Sequence, residues 1–223
     1  SITSATLWKS SDSLSTSSIA AGDIDDDGDM DIVLGTHGDV NQLFLSSGGS
    51  LPTSATWNST ETDDTMDIRL GDVDGDGDMD LIESNAGNSD HIRIFEGSDF
   101  GDTPVWSSDF AGDSSDSAWG DIDGDGDLDF ATADGNDGPM IGINGGQMIE
   151  SSSSWNDGNQ HHTYSMDLAD IDDDGDLDIA YGNEGVSSKV YTYDSSTGTY
   201  SQLWFTSSTP LADGIIWMDY DGD

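Results

Sequence analysis

The sequence predicts an all-β fold made by stacking one repeated unit. Three observations predict it: an acidic loop that recurs every 49 residues, a tryptophan series with the same period, and two-residue alternation of apolar side chains between them.

The period is set twice, by residues that share no position. Acidic loops open at Asp23, Asp72, Asp121, Asp170 and Asp219, each 49 residues after the last. Tryptophan stands at Trp8, Trp57, Trp106, Trp155 and Trp204, always 15 residues ahead of the next loop. Two independent series in one phase establish a tandem repeat without insertion or deletion through four periods.

Each period reads as four short strands. Asp31-Ile32-Val33-Leu34-Gly35 follows the first loop, and after a polar turn Leu43 and Leu45 flank Phe44. Later repeats place Ile92 and Ile94, Ile141 and Ile143, and Val190 and Thr192 in the same columns, the alternation of a half-buried strand. A short strand then carries the tryptophan. A last strand, with Ile19 and Ala21 or Ile68 and Leu70 on alternate positions, leads into the next loop. No stretch shows a helical period.

Four short strands in about 40–50 residues is the pattern of a β-propeller blade. Counted from the strand that enters the loop, residues 11–59, 60–108, 109–157 and 158–206 are four whole four-stranded blades. Residues 1–10 and 207–223 then belong to partial blades at the two ends. The expectation is a single repeat region over 1–223 that forms part of a larger propeller, because one blade cannot bury its faces alone.

Composition agrees. Only 33% of residues are hydrophobic, and 28 Gly stand against 4 Pro, too polar for a large helical or α/β core. The chain carries 47 acids against 4 bases, a net charge of −43 that repels nucleic acid and anionic membranes. Cysteine is absent, which excludes disulfides and thiolate metal sites. No apolar run of about 18 residues exists to insert in a membrane, and Ser1 opens a polar stretch without the basic start of a signal peptide. The expected partner is a protein or a glycan. The five loops hold 25 of the 47 acids, so metal binding explains the clusters but not the shortage of bases. A salty habitat, where screening reduces self-repulsion, accounts for that shortage.

The first loop reads Asp23-Ile24-Asp25-Asp26-Asp27-Gly28-Asp29-Met30-Asp31. Carboxylates at positions 1, 3, 5 and 9 can converge on one point of a tightly curled loop, and glycine at position 6 permits the turn. Position 7 is read as a backbone carbonyl ligand, with the side chains of Asp29, Asp78, Asp127 and Asp176 facing solvent. Apolar residues at positions 2 and 8 (Ile24 and Met30, Val73 and Met79, Ile122 and Leu128, Ile171 and Leu177) anchor the loop on the core. Hard oxygen donors without Cys or His suit Ca²⁺ or Mg²⁺, and Ca²⁺ is favoured because Mg²⁺ tolerates dense protein cages poorly. An EF-hand is excluded. Its position 12 requires glutamate, which here is Leu34, Glu83, Thr132 and Tyr181, and its flanking helices have no counterpart.

With the loop Gly22-Asp23-Ile24-Asp25 through Asp31-Ile32, its three later copies and the tryptophan strand between them, the chain resembles the FG-GAP/VCBS repeat family, whose calcium-loop blades also build integrin α-chain propellers. The resemblance implies a β-propeller whose metal loops bridge the first two strands of each blade on one rim, with about one Ca²⁺ in each of four complete loops. It implies ligands at Asp23, Asp25, Asp27, Asp29 and Asp31; at Asp72, Asp74, Asp76, Asp78 and Asp80; at Asp121, Asp123, Asp125, Asp127 and Asp129; and at Asp170, Asp172, Asp174, Asp176 and Asp178. Asp219, Asp221 and Asp223 begin a fifth set. Ala169 and Met218 depart from the glycine that precedes the first three loops.

The function expected is an extracellular or cell-surface binding or adhesion module in which calcium is structural. Two alternatives are a lectin-like module and an accessory or catalytic propeller of a polysaccharide-degrading enzyme. Against an enzyme, His37, His91, His161 and His162 occupy unmatched repeat positions, and no cluster of acid, base and nucleophile breaking the repeat in one blade is visible. The periodic tryptophans read as packing between blades rather than sugar platforms. Trp119 and Trp217, found in alternate repeats, are candidates for something more specific.

Overall fold

The computed structural model describes residues 8–108, 112–136, 138–146, 155–158, 161–208, 212 and 214–218. Among these the chain is all β, with four antiparallel sheets and no helix. The first sheet pairs β1 (Thr16–Gly22), β2 (Asp31–Thr36), β3 (Gln42–Phe44) and β4 (Trp57–Asn58) in chain order. The second is β5 (Asp64–Gly71), β6 (Asp80–Asn88), β7 (His91–Arg93) and β8 (Trp106–Ser107), with β9 (Gly112–Asp113) added on β6. The third is β10 (Asp116–Gly120), β11 (Asp129–Asp134), β12 (Gly138–Gly142) and β13 (Trp155–Asn156). The fourth is β14 (Thr163–Ala169), β15 (Asp178–Asn183), β16 (Lys189–Asp194) and β17 (Thr199–Phe205). Residues 1–7 and 219–223, read from the sequence as part of the two end blades, lie outside the described residues.

The register places every acidic loop at one hairpin. Gly22 pairs with Asp31, Gly71 with Asp80, Gly120 with Asp129 and Ala169 with Asp178. The loop is therefore the closure between the first two strands of each sheet. The first strands lie side by side, β1 against β5, β5 against β10 and β10 against β14.

Each hydrophobic cluster joins two neighbouring sheets. Ile24, Val33, Leu43 and Trp57 of the first sheet pack with Ile68, Leu81, Phe95 and Phe100 of the second. Val73, Ile82, Ile92 and Trp106 meet Phe130 across the next joint, and Ile122, Ala131 and Ile141 meet Met166, Ile179 and Tyr181 across the third. A single sheet has no core of its own here, so stacking is a condition of folding.

The tryptophans are part of these joints. The Trp57 indole N–H donates to the Gly101 carbonyl at 2.9 Å, and its ring meets Phe100 edge-on at 5.4 Å. Trp8 repeats the arrangement on Pro52 and Phe44 at 2.8 and 5.1 Å. Trp57 and Trp106 are only 6% and 7% exposed. Trp204, on β17 of the last sheet, is 55% exposed.

The joints also carry a regular polar ladder. Side chains of Ser18, Asp67, Asp116 and Ser165 accept the backbone N–H of Ile68, Ser117, Met166 and Ile215 at 3.3, 3.2, 3.1 and 3.1 Å. Every rung spans 50 residues, one repeat plus one position. Arg69 reinforces one joint, with ion pairs to Asp67 at 3.2 Å and Asp116 at 2.9 Å.

Glycine before the loop lets the next repeat come close. A Cβ on Gly71 would lie 2.8 Å from Trp119, and one on Gly120 would lie 2.5 Å from Leu177. Trp119 thus belongs to a joint, where it also meets Phe130. Gly120→Ala should lower stability by about 1–3 kcal/mol through overpacking. In a double-mutant cycle Leu177→Ala should recover part of that loss; additive losses in chemical denaturation would argue against the contact.

Candidate metal centres

Each loop curls because two of its residues take the left-handed conformation. At position 6, Gly28, Gly77, Gly126 and Gly175 have φ of 89°, 102°, 98° and 97°. At position 4, Asp26, Gly75, Gly124 and Asp173 have φ of 53°, 75°, 72° and 60°. Aspartate is among the few side chains that tolerate this region, because it can bond locally. The need at position 4 was missed from the sequence, although only Asp and Gly occur there.

The carboxylates then brace the curl. At position 1, one oxygen of Asp23, Asp72, Asp121 and Asp170 accepts the N–H of the position-6 glycine at 3.0, 3.1, 3.0 and 3.0 Å. At position 5, Asp27, Asp76, Asp125 and Asp174 accept the N–H of position 7 at 2.8, 3.0, 3.0 and 3.0 Å. Position 9 is fully buried and uses both oxygens. Asp31, Asp80, Asp129 and Asp178 accept the N–H of Ile24, Val73, Ile122 and Ile171 at 2.7–2.9 Å. Their other oxygens accept the N–H of Ser46, Phe95, Asn144 and Tyr193 at 2.6–2.9 Å.

These restraints bring carboxylate oxygens of each loop together. One oxygen each from Asp23, Asp25 and Asp27 lies within 4.8 Å of the others, as do sets from Asp72, Asp74 and Asp80, from Asp121, Asp123 and Asp129, and from Asp170, Asp172 and Asp178. Positions 1 and 3 thus converge in all four loops, joined by position 9 in the last three and position 5 in the first. Asp31, Asp76, Asp125 and Asp174 stand in the same loops but outside these sets. Asp219, Asp221 and Asp223 lie outside the described residues.

Position 7 needs a correction. Asp29 accepts the N–H of Gly49 at 2.9 Å, and Asp176 accepts that of Ser195 at 2.7 Å and is 8% exposed. Asp78 and Asp127 are half-buried. Their side chains do not all face solvent, because the turn between third and fourth strands folds back over the loop.

The donor set fits a hard dication. The second oxygens of Asp23, Asp72 and Asp121, and one oxygen of Asp25, are buried without a hydrogen-bond partner, a costly state for a carboxylate unless a cation or proton meets it. Burial, opposed by backbone hydrogen bonds, raises Asp80 and Asp129 to about 6. Burial first and then neighbouring carboxylates raise Asp25, Asp74 and Asp123. A bound cation would relieve both effects.

The histidines stand apart from these loops. His37 faces Asp64 at 3.4 Å, His91 faces Asp63 at 3.3 Å and His161 faces Asp157 at 3.1 Å. The last contact belongs to a buried acid–base pair that breaks the repeat and that the sequence did not reveal. Asp157 Oδ2 also takes Lys189 Nζ at 2.6 Å and the Tyr181 hydroxyl at 2.6 Å. Proline explains the exception. Asn41, Asp90 and Ser188 donate their backbone N–H to Ser59, Ser108 and Thr206 at 2.9, 2.9 and 3.1 Å. Pro139 has no N–H to give, and Asp157 stands in the acceptor column. The Asp157 side chain is fully buried and that of His161 nearly so, so the cluster ties the third sheet to the fourth. Glu83, the one glutamate at an EF-hand position 12, is held by Arg93 at 2.7 Å instead of serving its loop.

Two outcomes test this geometry. Nothing lies within 4 Å of a Cβ built on Gly126, so Gly126→Ala should cost about 1–2 kcal/mol from the left-handed backbone alone, read as a lowered melting temperature. In metal-free protein, Asp80 and Asp129 titrate above their unfolded value of about 3.9, so their contribution is present below that pH and lost as pH rises through about 6. Added metal must displace those protons. The rise in melting temperature on adding calcium should therefore be small at pH 5 and large at pH 7.5.

The fold and loops define a repeat protein whose sheets are each closed by an aspartate loop. Residues 23–83 match the family model of the FG-GAP-like repeat. No curated protein sequence matches the chain. Among solved structures it is similar to the V. cholerae biofilm matrix protein Bap1, at 20% identity and a TM-score of 0.56, over 89% of this chain and 32% of that one. It is also similar to BBS1N from a complex with ARL6DN, at 13% identity and a TM-score of 0.53, over 86% of this chain and 56% of that one. A Bacillus licheniformis rhamnogalacturonan lyase aligns at 15% identity and a TM-score of 0.49, over 85% of this chain and 38% of that one. The chain thus spans about a third to about a half of the structures it matches.

Proposed function

We propose that the chain is part of a calcium-stabilised extracellular β-propeller that mediates adhesion or ligand binding, with calcium as scaffold rather than reactant. One observation carries the metal reading: the same buried, partnerless oxygen at position 1 in three successive loops, Asp23, Asp72 and Asp121. Side-by-side first strands and joint-centred cores support the propeller. Positions 1, 3, 5 and 9 of each loop supply carboxylate oxygens and position 7 its carbonyl. An extracellular setting is part of this proposal, because free calcium there matches the roughly 10⁻⁴–10⁻³ M at which extracellular calcium modules bind. The FG-GAP-like repeat and the use of this fold in a biofilm matrix protein favour the same setting.

A binding role is preferred over catalysis because the repeat-breaking cluster at Asp157 is closed to substrate. The partner, protein or glycan, is assigned to the rim opposite the metal loops. A lectin-like role would not use Trp57 or Trp106, which are covered by the next sheet.

Calcium removal tests the proposal. At 100 times its dissociation constant each ion should stabilise the fold by about 2.7 kcal/mol, so excess EDTA should lower the melting temperature sharply and calcium should restore it. An unchanged melt would remove calcium from the scaffold.

A further inference from the structure

Neighbouring metal loops touch. The Met79 N–H donates to the Ile24 carbonyl at 3.0 Å, and the Leu177 N–H donates to the Ile122 carbonyl at 3.0 Å. Both are one contact, from position 8 of a loop to position 2 of the loop before it. Position 2 lies between the carboxylates of positions 1 and 3, and position 8 lies between positions 7 and 9. The contact therefore joins the two halves of adjacent sites through the backbone.

The joint between loops two and three is built differently. There the Asn144 side-chain amide donates to the Val73 carbonyl at 2.9 Å and to the Leu128 carbonyl at 3.3 Å, again positions 2 and 8. Other repeats hold Ser46, Phe95 and Tyr193 in that column, so this side-chain bridge occurs at one joint. Loop four also leans on loop three, since a Cβ on Gly124 would lie 3.5 Å from Asp176 Oδ1.

Resting on the calcium reading above, we infer that the four loops fill cooperatively: ordering one loop orders the next, directly within pairs one–two and three–four, and through Asn144 between the pairs. Two effects compete for the sign. An ion in one loop repels an ion in the next, whereas an ordered loop presents its neighbour with a fixed hydrogen-bond partner. Each loop carries five or six aspartates and so stays negative with one dication bound, which leaves the next ion attracted, and salt at 0.15 M screens part of the remaining ion–ion repulsion. Ordering therefore prevails at that salt. Coupling of this kind is reciprocal, so loop three must help loop four as much as loop four helps loop three.

Calcium titration of the whole chain at 0.15 M salt, followed by calorimetry and by intrinsic fluorescence, tests this. The expected result is four ions with an isotherm steeper than independent sites. Asp172→Ala, which disables loop four, should weaken loop three about tenfold, and Asp123→Ala should weaken loop four by the same factor. Asn144→Ala alters no assigned ligand side chain; it should still take up four ions but with a shallower isotherm. Four ions on an independent-site isotherm, with the remaining sites unchanged in Asp172→Ala and Asn144→Ala, would overturn the coupling while leaving the calcium reading intact. Absence of any binding would overturn both.

Discussion

The buried aspartate at position 9 is the constraint on which the rest of the structure depends. Asp31, Asp80, Asp129 and Asp178 each hold three separate pieces of chain: the start of the second strand, the start of the loop, and the turn that follows the third strand or, for Asp178, the end of that strand. Charge-assisted bonds to backbone N–H groups are among the strong ones, and two per residue fix the loop against the sheet. That fixation is what lets Ile24, Val73 and Ile122 enter the clusters between sheets. The cost is a carboxylate withdrawn from water, which raises the proton affinity of Asp80, Asp129 and Asp178. A nearby cation would offset that cost, so the residue that shapes the loop is also one that a metal would stabilise.

The joints between sheets show a second use of acids. Asp67 and Asp116 are rungs of the ladder, while Glu61 and Glu83 enclose Arg93, and Asp157 gathers Lys189, His161 and Tyr181. Three of the four bases, Arg69, Arg93 and Lys189, thus pair with acids, while Lys9 is exposed. Several acids outside the loops, which composition alone could assign only to habitat, have hydrogen-bonding roles inside the fold.

Much of this was legible in the sequence because the repeat multiplies each signal. Strand alternation at Leu43 and Leu45, the tryptophan column and glycine at position 6 all appear several times in one phase. The double role of position 9 was not legible, because a carboxylate that binds backbone N–H groups and one that binds metal are the same residue type. The roles of Asp29 and Asp176 depend on a turn 20 and 19 residues away, respectively, folding back over them. The Asp157 cluster left a trace, Pro139 in a column that elsewhere donates an N–H, but its meaning requires knowing which groups that column serves.

The ladder has a consequence for how such a chain changes length. The first strands of the second, third and fourth sheets each offer an acceptor to the segment one repeat ahead and a donor to the strand behind, always 50 residues apart. Duplicating or deleting one whole period leaves every internal donor matched with an acceptor. A change of a single residue in the period would shift the donor to the opposite face of the strand and leave both groups unpaired. The chain can thus be lengthened or shortened in whole units, and its strict spacing is the trace of that quantised growth.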